Sequence, residues 1–302
     1  MKVLIDTDPG LGKNFADVDD GLALFLMLNN PKFFEIEGIT TVFGNTQVKQ
    51  GYKLLKKYLN LVGKTNIPHF LGASSKDDFG HMNEASQFLI EKVKEKPNEL
   101  TLLTLGPLTN IGTALKNYPD FLNNLKRIII MGGVIEPINP FSKSNNSIGE
   151  QFFSDTEFNF NNDPLATKTI IEAQTLTPRI LVAIDICCKA IFKDDHLKQI
   201  QSINEPIQQY MAKNVEFWLK IWKFSDKGGF FPFDTFVPIY LMNPDLFKTI
   251  NYYFAVDTNG KIYIMDKKNE NSAPIIFCTD FVEPIGDKEF MDILISNLIK
   301  SF

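Results

Sequence analysis

The sequence predicts an α/β protein: a mostly parallel open sheet flanked by helices, folded as a single domain over residues 1–302. Two observations carry that expectation. Short apolar runs of strand length recur along the chain, separated by segments of helix length, and this alternation builds parallel βαβ units. Most of these runs also end at aspartate or glycine, residues that stop a strand and open a loop.

Taken in order, Val3, Leu4 and Ile5 form a buried strand that enters a loop at Asp6, Asp8, Pro9 and Gly10. Residues 22–28 are apolar on nearly every face, as in a buried helix. Its start falls at Asp19 or Asp20, since aspartate suits a helix N-terminus as a cap and against the dipole. Residues 36–43 read as the next strand, followed by Gly44-Asn45 and an amphipathic helix over 47–61. Residues 100–105 form another strand, closed by Gly106-Pro107, with a helix running to about Lys116. Residues 127–131 lead into Gly132-Gly133, and residues 180–184 end at Asp185. The tail carries strand-like runs at 253–256, 262–265 and 275–277, then a final helix to Ile299.

Three segments break this rhythm: 11–16, 136–154 and 226–232. Long irregular loops in a compact α/β protein often serve as lids or binding walls. No internal repeat or linker interrupts the chain, hence the single domain.

Composition narrows the function classes. With 31 basic against 36 acidic residues and a net charge of −5, the chain offers no basic footprint for nucleic acid. No apolar run approaches the ~20 residues needed to span a bilayer. Cys187 and Cys188 are adjacent and Cys278 is remote, which fits neither a disulfide framework nor paired zinc spacing. The N-terminus lacks signal-peptide architecture, so a reducing cytoplasm is expected.

The chemistry concentrates near the N-terminus. Asp6, Asp8, Asp17, Asp19 and Asp20 crowd into positions 6–20, between a buried strand and a buried helix. Carboxylates this close repel unless solvent, a hydrogen-bond donor or a cation compensates them. Hard oxygen ligands point to calcium or magnesium rather than zinc. In an open parallel sheet such a loop lies at the carboxyl ends of the strands, where ligands bind.

With these motifs the chain resembles the nucleoside hydrolase family, inosine–uridine-preferring type. The hallmark Asp-x-Asp-Pro-Gly is present at residues 6–10, with Asp19-Asp20 as its second half. Gly44-Asn45, Leu105-Gly106-Pro107-Leu108-Thr109-Asn110, Met131-Gly132-Gly133, Glu157-Phe158-Asn159, Asp163-Pro164 and Phe233-Asp234 follow in family order. The resemblance implies a Rossmann-like nucleoside hydrolase fold and calcium-dependent hydrolysis of the N-glycosidic bond of ribonucleosides. It implies Asp8 as metal ligand and as the base that activates water, with Asp20, Asp234 and the Leu105 carbonyl as further ligands. Asp19, Asn45, Glu157 and Asn159 would hold the ribose hydroxyls, with Asp6 behind them. Met131 would line the ribose pocket and Phe158 would contact the ring or leaving group. A homodimer or homotetramer is implied as well.

The chain departs from the family pattern at two places. Eight residues separate Gly10 from Asp19, where the family motif runs almost directly on, so an extra loop carries Gly12, Lys13, Asn14 and Asp17. Lys13 is a candidate for meeting an anionic substituent on the substrate, although an exposed lysine is the commoner outcome. Phe233 stands where many members carry the histidine that protonates the leaving base. Trp218, Trp222, Phe230 and Phe231 are candidates to sandwich a base instead, although Trp218 and Trp222 at helical spacing are more often core. His81 is the candidate general acid, with Gly80-His81 in reversed order relative to the family pair.

Three readings follow. The first is a ribonucleoside hydrolase, the second a hydrolase of an anionic ribosyl compound, and the third a ribose-binding protein impaired in turnover.

Overall fold

The computed structural model describes residues 1–136, 156–223, 228–266, 272–282 and 286–300. The expected loop at 136–154 lies almost wholly outside the described residues, as does the start of the one at 226–232. The first half of the chain runs β1 (Lys2–Thr7), α1 (Asp19–Leu28), β2 (Glu35–Thr41), α2 (Val48–Leu61), β3 (His69–Leu71), α3 (Glu84–Glu95), β4 (Thr101–Thr104), α4 (Thr109–Asn117) and β5 (Arg127–Met131). It continues through α5 (Phe158–Asn162), α6 (Pro164–Ile171), β6 (Arg179–Val182), α7 (Ile184–Cys187), α8 (Asp194–Gln201), α9 (Pro206–Trp222) and α10 (Phe236–Met242). Strands β7 (Phe247–Val256), β8 (Ile262–Met265) and β9 (Ile275–Phe281) precede α11 (Gly286–Leu298).

One nine-stranded sheet organises these elements in the order β3-β2-β1-β4-β5-β6-β9-β7-β8. From β3 to β9 every pairing is parallel, whereas β7 runs antiparallel to both β9 and β8. The expected α/β class and mostly parallel open sheet are therefore correct. Alternation along the central strands splits the core between two faces. Val3 and Ile5 pack with α1, α2 and α9, while Leu4 between them packs with α3, α4 and α6. Leu103 and Ile129 share the first face; Leu102, Ile128 and Ile130 share the second. Near-continuous apolar runs mark such doubly covered strands.

The first aspartate motif follows from this topology. The chain leaves β1 towards β2 on one side and returns to β4 on the other. Such a switch point opens a crevice beyond the carboxyl ends of the two strands. Asp6 and Thr7 end β1, Asp8 follows directly, and Leu105–Pro107 follows β4 into that crevice.

Several local details differ from expectation. Helix α1 does begin at Asp19, yet its cap is Val18 and no side chain caps it. Both aspartates lie in the first turn. The run at 180–184 breaks early: β6 stops at Val182, and Ile184 and Asp185 belong to α7. Short β3, and the helices α3, α5, α6 and α8–α10, have no counterpart in the apolar runs that were singled out. Among the described residues no helix is long and apolar enough to cross a membrane.

Candidate active site

A cavity of about 440 Å³ opens over the carboxyl ends of β1, β4 and β5. Its floor brings together residues from four distant parts of the chain. Asp8 comes from the end of β1, Asp19 and Asp20 from the first turn of α1, Asn45 from the loop after β2, and Asp234 from the turn before α10. Carboxylate oxygens of Asp19, Asp20 and Asp234 lie within 4.8 Å of one another, and all three residues are buried. Asp8 adjoins them: its backbone N–H donates to Asp20 Oδ1 at 3.2 Å, and its Oδ2 accepts from Asn45 N–H at 2.6 Å. The Asp234 N–H donates to Asp19 Oδ2 at 3.1 Å, which ties the far end of the chain to α1.

These carboxylates are crowded and buried. Burial holds Asp8, Asp19 and Asp234 well above the ordinary carboxylate range, and repulsion from the neighbouring aspartates adds to it. Burial raises Asp20 too, offset by the Thr7 hydroxyl, which donates to Asp20 Oδ1. No lysine or arginine lines the cavity among the described residues. Uncompensated charge of this density is costly unless a cation neutralises it. The donor set is all oxygen, and the Leu105 carbonyl lies in the lining beside it, so the residues fit a hard divalent ion.

Asp6 lies outside the lining, one layer below. Burial pushes its carboxyl up to about 7, and the Thr40 hydroxyl and Asn110 amide pull it back. Asn110 Nδ2 donates to Asp6 Oδ1 at 2.8 Å and to the Thr41 carbonyl at 3.0 Å, joining the ends of β1 and β2. Asp6 thus stands outside the cavity, and Asn110 holds it there. Asn110 was visible only as part of a motif, and its function needed the neighbouring strand to be seen.

Glu157, Asn159, Met131 and Phe158 all line the cavity. Glu157 caps α5: Oε1 accepts from Asn159 N–H at 2.7 Å, and Oε2 accepts from Phe160 N–H at 3.0 Å and Gly133 N–H at 3.1 Å. Asn159 Nδ2 donates to the Leu105 carbonyl at 3.1 Å. The two side chains are fixed before any ligand arrives, which is how a binding group is held in a productive geometry.

Much of the remaining lining is apolar. Phe15, Trp218, Trp222, Phe233 and Ile184 join Phe158 there. Trp218 and Trp222 are almost fully buried, as core residues are, and they also line the cavity. Phe230 and Phe231 do not line it. They are wholly buried, and Phe230 stacks on Phe192 with ring centroids 4.8 Å apart. Lys13 is exposed and absent from the lining. His81 is likewise outside it, exposed on the loop before α3, where its N–H donates to the Asp78 carbonyl at 2.9 Å. The structure therefore does not bring His81 to the carboxylates. Phe15 and Asp17 are among the lining residues with no role assigned from sequence, as are Val134, Thr156, Asn161 and Ile184.

Comparison with known proteins agrees with this geometry. The sequence model described as inosine-uridine preferring nucleoside hydrolase matches residues 3–283. Uridine nucleosidase 1 of Arabidopsis thaliana is 27% identical over 287 residues, covering 86% of this chain and 79% of the relative. A pyrimidine-specific ribonucleoside hydrolase of Escherichia coli is 24% identical over 289 residues, 86% of each chain. Among solved structures, a plant nucleoside hydrolase superposes with a TM-score of 0.81 at 21% identity over 99% of both chains. A purine-preferring ribonucleoside hydrolase from Gardnerella vaginalis gives 0.80 at 22%, again over 99% of both. The chain belongs to the inosine-uridine preferring nucleoside hydrolase family and is an N-glycosyl hydrolase.

Proposed function

We propose that this enzyme hydrolyses the N-glycosidic bond of ribonucleosides with calcium at the aspartate cluster and Asp8 as the base that deprotonates the attacking water. The observation that carries the reading is the buried Asp19–Asp20–Asp234 group, with Asp8 against it, at the floor of a cavity whose other end is aromatic. The ion would be held by Asp8, Asp20, Asp234 and the Leu105 carbonyl. When bound, it supplies Lewis-acid charge that eases ionisation of water near neutral pH. Calcium suits the site better than magnesium because it accepts 6–8 oxygen ligands in loose geometry, leaving room for a ribose diol.

The remaining residues follow from the reaction. An oxocarbenium-like state develops at C1′ as its bond to the base breaks, and the surrounding carboxylates favour that positive charge. Water adds to C1′, Asp8 takes its proton, and the bonding electrons leave with the base. Asp19, Asn45, Glu157 and Asn159 orient the sugar through its hydroxyls, with Met131 and Phe158 packing against it and Asp6 bracing Asp8 from below. His81 has no place in this scheme.

Release of ribose from a panel of purine and pyrimidine ribonucleosides, with and without chelator, tests the reading. Calcium-dependent release supports it, and no release from any of them refutes it. The anionic-substrate alternative loses its main support with Lys13 outside the cavity. Assembly as a homodimer or homotetramer, and a cytoplasmic location, belong to the same reading. Light scattering and fractionation check them.

A further inference from the structure

We propose that residues 11–17, the extra loop between the two halves of the aspartate motif, form the wall that reads the leaving base. Within it, Phe15 sets a preference for a bicyclic, purine-type base over a monocyclic one. This rests on the ribonucleoside reading above and deepens it.

Phe15 lines the same cavity as Asp8, Asp20 and Asp234, yet 79% of it is exposed. A large apolar ring left open at the mouth of a cavity gains when a planar ligand covers it. Its backbone is also held at φ 63°, the left-handed region that side chains other than glycine, asparagine and aspartate avoid. Phenylalanine has no local hydrogen bond with which to recover that cost. Strain of this kind persists where the surrounding structure over-determines it, and it concentrates at ligand clamps.

The loop is over-determined at both ends. The hydroxyls of Tyr58 and Tyr210 both donate to the Leu11 carbonyl. At the other end Asn45 grips the Asp17 backbone twice, accepting from its N–H at 2.7 Å and donating to its carbonyl at 3.2 Å. Asn45 also donates to Asp20 Oδ2 at 3.3 Å, so one side chain fixes the loop to the carboxylate floor. Gly12 is required where the loop passes α9, because a Cβ there would run into the Tyr210 hydroxyl. Phe217 of α9 braces the Phe15 ring edge-on, with centroids 5.4 Å apart and planes at 79°.

The chemistry of this end selects by area. Phe15, Phe158, Trp218 and Phe233 present ring surface, and no lysine, arginine or histidine lies among them in the described lining. A monocyclic base read through its carbonyl and N–H edge needs several matched donors and acceptors, and these rings offer only the Trp218 indole N–H, which has no partner within the described protein. Stacking tolerates any edge pattern and grows with overlap, which favours the two-ring base.

The test uses the full chain with calcium and compares wild type, Phe15→Ala and Phe15→Tyr on inosine and uridine, with free ribose as competitive inhibitor. Phe15→Ala is expected to raise KM for inosine roughly 3- to 10-fold. The KM for uridine should rise less than about 2-fold, and inhibition by ribose should stay as in wild type. Phe15→Tyr, which keeps the ring, should restore the inosine value. Equal losses on both nucleosides, a change in ribose inhibition, or no change at all would overturn the proposal. Should wild type cleave neither nucleoside, the ribonucleoside reading fails separately. The wall is then judged by hypoxanthine and uracil binding, followed through Trp218 and Trp222 fluorescence. Weaker hypoxanthine binding in Phe15→Ala alone upholds it, and indifference sinks it.

Discussion

The two ends of the cavity are built by different means. The carboxylate end sits on strand termini and the first turn of a buried helix, with every group hydrogen-bonded to a neighbour from another part of the chain. The aromatic end is assembled from a loop, a helix end and ring packing. Rigid elements fix direction, so the first end commits the protein to a reaction. Loops and rings vary without disturbing that floor, so the second end is where one fold acquires its choice of base. The names of the relatives show the same division: those matched by sequence are called uridine or pyrimidine hydrolases, while one of the superposed structures is called purine-preferring.

Breaking the carboxylate end should have the largest effect. Asp8→Asn keeps the shape and an acceptor for the Asn45 N–H but removes the proposed base. A fall in kcat of about 100- to 10,000-fold is expected, with little change in KM. A KM effect with normal kcat would instead make Asp8 a binding group. Next in size is the ion. If calcium occupies the folded cluster as proposed, then at about 100 times its dissociation constant it should add ~2.7 kcal/mol of stability. For a chain of this length that is a rise in Tm on the order of 5 °C by calorimetry. Asp234→Asn should abolish the calcium-dependent rise and leave the calcium-free protein more stable than wild type, because one of the repelling buried charges is gone. A calcium-free variant that melts lower than wild type would show that the cluster is not under electrostatic stress.

How much of this was legible depends on the same division. Asp8, Asp19 and Asp20 could be read because a buried strand, an acidic loop and a buried helix leave little choice of location. Asp234 was placed by resemblance alone, since nothing around it in the sequence says that it returns to α1. Phe15, Phe231 and Trp222 look alike as letters. One is an exposed cavity wall, one is core, and one is both, and only packing decides which. The end of β6 misled for a related reason. Residues 180–184 are uniformly apolar, and an apolar run cannot show where a strand hands over to a helix.

Between the two ends in expected effect lies the Asn110 link between Asp6 and the end of β2. Asn110→Ala removes the amide bonds to Asp6 and the Thr41 carbonyl, and it strips the Ala73 N–H of its acceptor at 2.9 Å. Buried groups left unpaired cost roughly 1–3 kcal/mol, measurable by denaturant unfolding. A loss under about 0.5 kcal/mol would mean that water takes over these bonds, since surface-like substitutions fall in that range.

The smallest predicted effect runs the other way and separates the ends most cleanly. Phe15 holds a left-handed backbone at φ 63° while most of its ring faces solvent. Glycine at this position removes a conformational cost of about 1–2 kcal/mol. It also adds back some unfolded-state entropy, roughly 0.5–1 kcal/mol. Little packing is lost, because the ring is mostly exposed and meets Phe217 only along an edge. Phe15→Gly should therefore be as stable as wild type or gain up to ~1 kcal/mol, a rise of about 2 °C or less by calorimetry. The same substitution should weaken purine binding. A residue whose removal stabilises the fold and impairs the ligand is held in place for the ligand. If Phe15→Gly instead melts well below wild type, the ring is structural, and the wall owes its position to packing rather than to the base it covers.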